Sequence, residues 1–196
     1  MNVLSESVWF EQVDSALIDY IQGIVRLPNE YSVLTPVPVK VRKPDEDFEI
    51  ENYPCITIYN LYSSRDEVRY FPDEVVVSRN NEKGTLILEK SAIPYSLHYQ
   101  IDFWSRKQSH MNDMVRMWIG NHPDKSFNLP VKDFSGQDRD CFVLMTDDLK
   151  KSDFLNGTQR TFHSVLTYKV WVEIDEIIRR EASMVTSISY PDVTKM

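Results

Sequence analysis

Hydrophobic and polar positions alternate most regularly between Tyr95 and Trp104. Tyr95, Leu97, Tyr99, Ile101 and Phe103 fall on one face. Ser96, His98, Gln100, Asp102 and Trp104 fall on the other, the period-two pattern of a strand with one buried face. Pro94 precedes the run, at a position where no ladder donor is needed. After Ser105 the period changes. Met111, Met114, Val115 and Trp118 stand at i, i+3, i+4 and i+7, one stripe of a helix that His122 and Pro123 stop. Ser5 or Ser7 caps an earlier helix, over about residues 6–26, with a stripe of Val13, Ala16, Leu17, Tyr20, Ile21 and Ile24, ended by Pro28. Thr161–Ile174 is a second long strand and the strongest in the chain. Leu166, Tyr168, Val170, Val172 and Ile174 share one face, with Val165, Thr167, Lys169, Trp171 and Glu173 opposite. Asn156-Gly157 ahead of it is a hairpin signal.

Weaker patterns fill the remainder. Cys55–Tyr62 and Cys141–Met145 are apolar strand-like runs, and Phe127–Val131 is a short one. Glu74–Ser78 and Thr85–Leu88, around a turn at Gly84, make a hairpin or long loop ahead of the central strand. Pro36, Pro38, Pro44 and Pro54 break the β-prone run from residue 29 to 54, which places it at a sheet edge or in an extended arm. Asp147–Phe154 is a polar connection. The tail from Asp175 shows no stripe that would seat it in the core. Together these elements predict an α+β fold, a mixed and mostly antiparallel sheet flanked by two helices. It forms one domain over residues 1–175 with an insertion or arm at about 29–90, and residues 176–196 are a C-terminal extension. Leu97, Tyr99, Ile101, Phe103, Leu166, Tyr168, Val170 and Val172 form the expected core against both helices.

Composition narrows the class of function. The 196 residues are 42% hydrophobic and 27% charged, with no run near the ~20 apolar residues of a membrane helix. The first residues lack the basic and apolar regions of a signal peptide, so synthesis in a cytoplasm is the expectation. Cys55 and Cys141 each sit in an apolar run and are expected to be buried free thiols. The formal charge of −8 offers no overall attraction for nucleic acid. The one dense basic cluster, Lys40, Arg42 and Lys43, adjoins Asp45, Glu46 and Asp47.

Candidate chemistry is sparse. His98 and Asp102 point the same way on one strand. However, strand neighbours two apart already sit ~7 Å from each other, beyond hydrogen-bond reach. His110, His122 and His163 fall in no metal-binding spacing, and neither HxxxH nor CxxC occurs. Asp147-Asp148 and Asp45-Glu46-Asp47 lack the glycine of a calcium loop. Ser135-Gly136 lacks the flanks of a nucleophile elbow. No enzyme, cofactor or metal is therefore expected. The aromatics say more: Trp104 and Trp171 lie opposite the apolar faces of their strands, where a tryptophan is either covered by a helix or anchors a protein partner. Two segments, Ser32–Lys43 and Glu176–Met196, carry apolar side chains without a docking stripe. Val37, Val39, Val41, Trp104, Trp171, Met184, Ile188 and Tyr190 are the candidate partner or subunit interface.

The segments Leu97–Ser105, His110–Met114 and Tyr168–Glu173 resemble the neck or tail-terminator proteins of tailed bacteriophages. In that family a strand ending in a Phe/Leu-Trp-Ser sequence leads into a helix with a Met-Asn-x-Met sequence, and a Tyr-Lys-Val-x-Val-Glu strand closes the domain. The likeness covers about residues 1–25 and 90–175; residues 29–90 have no counterpart. The resemblance implies a virion protein made in the host cytoplasm and assembled as a homo-hexameric ring at the head-proximal end of the tail. Its implied partners are the tail tube protein, the head connector or stopper protein and, in contractile particles, the tail sheath. DNA would only pass through the lumen, and no membrane is involved. The acidic balance fits such a passage. A head-completion or stopper protein of the same particle is the alternative, followed by an unrelated enzyme or regulatory domain.

Overall fold

The computed structural model describes residues 6–42, 50, 52–69, 74–80, 85–90, 93–132, 138–156, 159–174 and 179–183. The elements in chain order are α1 (Glu6–Ile24), β1 (Arg26–Pro28), β2 (Leu34–Pro36), β3 (Val39–Val41), β4 (Cys55–Arg65), β5 (Glu74–Asn80), β6 (Thr85–Lys90), β7 (Ile93–Ser105), α2 (Gln108–Asn121), β8 (Ser126–Lys132), β9 (Asp138–Asn156), β10 (Gln159–Ile174) and β11 (Arg179–Ser183). They fall into two units. One holds Met1–Arg65 with Tyr95–Val172, the other Asp66–Pro94 with Glu173–Met196.

The first unit is an α+β fold on a six-stranded sheet of order β3-β4-β7-β10-β9-β8. The pairs β4·β7, β9·β10 and β8·β9 are antiparallel and β3·β4 is parallel. Both helices pack on one face. The expected core is the observed one: Leu97, Tyr99, Ile101 and Phe103 of β7 are buried, as are Leu166, Tyr168, Val170 and Val172 of β10. Val13, Leu17 and Ile21 of α1 and Met111, Met114 and Trp118 of α2 close over them. Each such side chain contributes ~1.5–3 kcal/mol by leaving water. The polar tips in this layer are paired: Tyr99 Oη donates to Asp14 Oδ1 at 2.7 Å, and Trp118 Nε1 donates to Tyr168 Oη. Burial pushes the Asp14 carboxyl above its ordinary value; the Tyr99 hydrogen bond opposes this and Glu11 adds to it. Both cysteines are buried free thiols, as expected.

Helix α1 ends at Ile24, earlier than the sequence pattern suggests. Pro28 disfavours helix at the residue before it, and Arg26–Pro28 instead pairs with Leu34–Pro36 as a two-stranded hairpin. Asn29 shapes its loop by accepting the backbone N–H of Tyr31 and Val33 on its side-chain oxygen, at 2.9 and 3.0 Å. Ser32 takes the left-handed conformation there, φ 60°. Residues 32–42 of the expected free arm Ser32–Lys43 are therefore tied to their own unit, through β2, Val37 and β3; Lys43 lies outside the described residues. Val37 is only 2% exposed, and its N–H donates to Val25 O, so it belongs to the core and not to an interface. Val39 is half-buried and Val41 lies at the exposed edge of β3, paired with Ile58 of β4.

Asp147–Phe154 is not a connection. It is the outer half of β9, paired along β10 from Met145↔Tyr168 to Asn156↔Gln159. Its polar character follows from position. β8 covers β9 only through Leu144, so beyond that point the strand has no described neighbour on its outer side.

The second unit is a three-stranded antiparallel sheet of order β11-β6-β5. The hairpin expected at Glu74–Ser78 and Thr85–Leu88 is β5–β6. Part of the tail, expected to lie apart from the fold, supplies the third strand: Arg179–Ser183 pairs with Thr85–Glu89. The chain thus divides at different places from a 1–175 domain with an arm at 29–90. Met184, Ile188 and Tyr190 lie outside the described residues.

Candidate functional site

The face of the six-stranded sheet away from the helices carries a polar row across four strands. Register sets it. Thr57 on β4 stands opposite Asp102 on β7, and Ser152 on β9 stands opposite His163 on β10. β7 and β10 are neighbours, and His163 Nε2 meets Asp102 Oδ1 at 3.0 Å. His163 Nδ1 is 2.8 Å from Ser152 Oγ, and Thr57 Oγ1 reaches Asp102 Oδ2 at 3.4 Å. Gln100 Nε2 adds bonds of 2.9 and 3.0 Å to the two carboxylate oxygens. Asp102 is 1% exposed, and a carboxylate taken out of water needs this number of donors. Against a carboxylate Nε2 is the donor, which leaves Nδ1 of a neutral imidazole to accept the Ser152 hydroxyl.

Aromatic rings cover the row. Trp104 stacks on the His163 imidazole with centroids 3.7 Å apart and planes at 12°, and its Nε1 donates to Thr57 Oγ1 at 3.1 Å. Phe154 lies against Trp104. Two further stacks share the face: Tyr62 on His98 at 4.2 Å, and Phe142 on Trp171 at 5.3 Å with the Lys169 ammonium over the Trp171 ring. Burial, and after it the charge of Lys169, pulls the His98 pKa down. Trp104 and Trp171 do lie opposite the apolar face, as the alternation requires, and each is half-buried under neighbouring rings instead of under a helix.

No protein-family model matches this chain, and no curated protein matches its sequence.

Serine, histidine and aspartate in hydrogen-bond sequence are the residue types of an acyl-transfer relay. Here Ser152 sits mid-strand beside its ladder partner, and the imidazole face is occupied by Trp104. A nucleophile needs a space in which the reacting carbon can sit, and the two described cavities open elsewhere. One, about 400 Å³, is lined by Asn52, Tyr53, Pro54, Ser105, Arg106, Lys107 and His110. The other, about 850 Å³, is a groove between α1 and the edge strand β8. The polar row ties four strands in one register, since a one-residue slip would break every bond between strands in it. Among the described residues no group of three or more His, Cys, Asp or Glu is placed to hold a metal ion, and no helix is long and apolar enough to cross a membrane.

Reading the sequence considered Asp102 with His98 and left His163 isolated. The structure keeps the first pair apart and joins Asp102 to His163, 61 residues away. Only the alternation of β10, which puts His163 on the Trp171 side, hinted at the face. The groove along α1 was also missed; its signal was the width of the α1 stripe, broader than one sheet contact covers.

Proposed function

We propose that this chain is a structural virion protein, a tail terminator that forms a ring at the head-proximal end of a phage tail, ends tube growth and joins the tail to the head connector. One observation carries the reading. The three segments on which the resemblance rests, far apart in the chain, lie together in the fold: Leu97–Ser105 is in β7, Tyr168–Glu173 is in the neighbouring β10, and His110–Met114 opens the helix packed on both. A sheet face with three aromatic stacks suits contact with protein better than chemistry on a small molecule, because neither described cavity opens onto it. The net charge of −8 suits a ring that lets DNA pass without holding it.

The test is light scattering of the purified protein, alone and with growing tail tubes. A terminator adds the mass of a closed ring to each tube and arrests its length; a 23.0 kDa species in both conditions defeats the proposal. Mass analysis of head and tail fractions separates a terminator from a head-side stopper.

A further inference from the structure

Helix α1 has a wider apolar surface than its own sheet covers. Val13, Leu17 and Ile21 are buried, but Ala16, Tyr20 and Ile24, one flank round the helix, stay half-buried, Tyr20 with its ring stacked on Phe127 of β8. They line the 850 Å³ groove with Gly23 and, on β8, Pro130. Its charged groups are Glu11, Asp19 and Asp138 against Lys132. Gln12 belongs to the same wall, and its buried Oε1 has no hydrogen-bond partner. The site is therefore apolar at its floor, acidic at its rim, and holds one idle acceptor.

The same unit carries a segment of opposite character. Where β9 and β10 run on beyond β8, Phe154 is 50% and Leu155 76% exposed. The flanking charges are Lys150, Lys151 and Arg160 against Asp147 and Asp153; Lys150 pairs with Asp147 and Arg160 with Asp153, which leaves Lys151 as the surplus positive charge. Leu155, with the side of Phe154 that its contacts with Trp104 and His163 leave exposed, makes an apolar tip on the outer end of the hairpin.

We infer that the outer end of the β9–β10 hairpin of one copy docks in the α1–β8 groove of the next. The inference rests on the reading of the chain as a ring former and specifies where one copy meets another. Leu155 and the exposed side of Phe154 would lie on Ala16, Tyr20 and Ile24. The basic residues would face Glu11, Asp19 and Asp138, and a docked donor would satisfy Gln12. Tip and groove are different surfaces of one molecule, so the contact is heterologous, the kind that closes into a ring when the rotation per copy allows it.

Two substitutions separate the halves without touching the core. Leu155→Glu changes an exposed side chain. Gly23→Trp fills the groove from a position where a Cβ meets no atom within 4 Å. Each variant alone should keep the wild-type melting temperature and lose assembly, with or without tail tubes. Mixed in equal amounts they should form a one-to-one dimer and nothing larger, because only the intact tip of one and the intact groove of the other can meet. Analytical ultracentrifugation reads this directly. Gly23→Cys mixed with Leu155→Cys should likewise give a disulfide dimer containing one of each. Rings from either single variant, or no mixed dimer and no mixed disulfide, overturn the inference. Variants that still form rings leave the ring reading standing. A mixed disulfide with no wild-type assembly on tubes leaves the contact standing and removes the terminator.

Discussion

Replacing Asp102 by alanine would remove the acceptor on which three donors converge. His163 Nε2 and Gln100 Nε2 lose bonds of 2.9–3.0 Å, and Thr57 loses a longer one of 3.4 Å that its hydroxyl can replace by turning. A buried donor left without a partner costs ~1–3 kcal/mol. His163 is 8% exposed and cannot reach water in place, whereas half-buried Gln100 has some access. The sum is about 3–5 kcal/mol. For a chain of this length it lowers the melting temperature by roughly 6–20 °C, at about 2–4 °C per kcal/mol. His163→Ala also exposes the face of Trp104, and the two changes share their main contact. The double variant should therefore be at least ~1 kcal/mol better than the sum of the singles. Urea unfolding followed by tryptophan fluorescence suits the measurement, because all four tryptophans, Trp9, Trp104, Trp118 and Trp171, belong to the first unit. A cost under about 1 kcal/mol for Asp102→Ala, or strict additivity in the cycle, would refute the view that the row pins the strands.

Ile101→Ala, at the fully buried centre of β7, should cost ~2–5 kcal/mol in the same assay, through lost transfer energy and the cavity left behind. His122 is held neutral by burial, with its pKa lowered and only partly raised again by the Trp118 carbonyl 2.7 Å from Nδ1. The unfolded chain takes up that proton first, so the contribution of His122 is present above its unfolded value of ~6.5 and lost as pH falls through the folded value. His122→Gln should flatten the decline of melting temperature below about pH 6.5, measured by calorimetry, with a residual slope from His98, whose pKa is also lowered.

Much of the fold was legible because it is periodic. β7 and β10 bury one face each, so their alternation survives in the sequence, and α1 and α2 show stripes for the same reason. The outer half of β9 was not legible: no described strand lies on its outer side and it carries polar residues on both faces, so Asp147–Phe154 looks like a loop. The docking of Val37 was hidden behind Pro36 and Pro38, whose missing donors suggest an arm, although the N–H that matters, that of Val37 itself, is available. The polar row was invisible for a different reason. Asp102, His163 and Ser152 meet only when the registers of three strands are known, and register is a long-range property that no local window contains. The place of β11 beside β6 is of the same kind.

The strand order has a consequence for how the molecule comes into being. β8 and β9 are translated after β7, yet they join its sheet only through β10, which is made last of the four and lies between β7 and β9. A nascent chain therefore carries two separate half-sheets until β10 inserts between them. The apolar stripe of α1, translated before these strands, waits for that insertion. At about 5–20 residues per second, the interval between completing Ile24 and completing Val172 is roughly 7–30 s. Throughout it, Val13, Leu17 and Ile21 have at most a partial platform to rest on. Such a topology folds late and as a whole, and it makes the young polypeptide a natural client for chaperones.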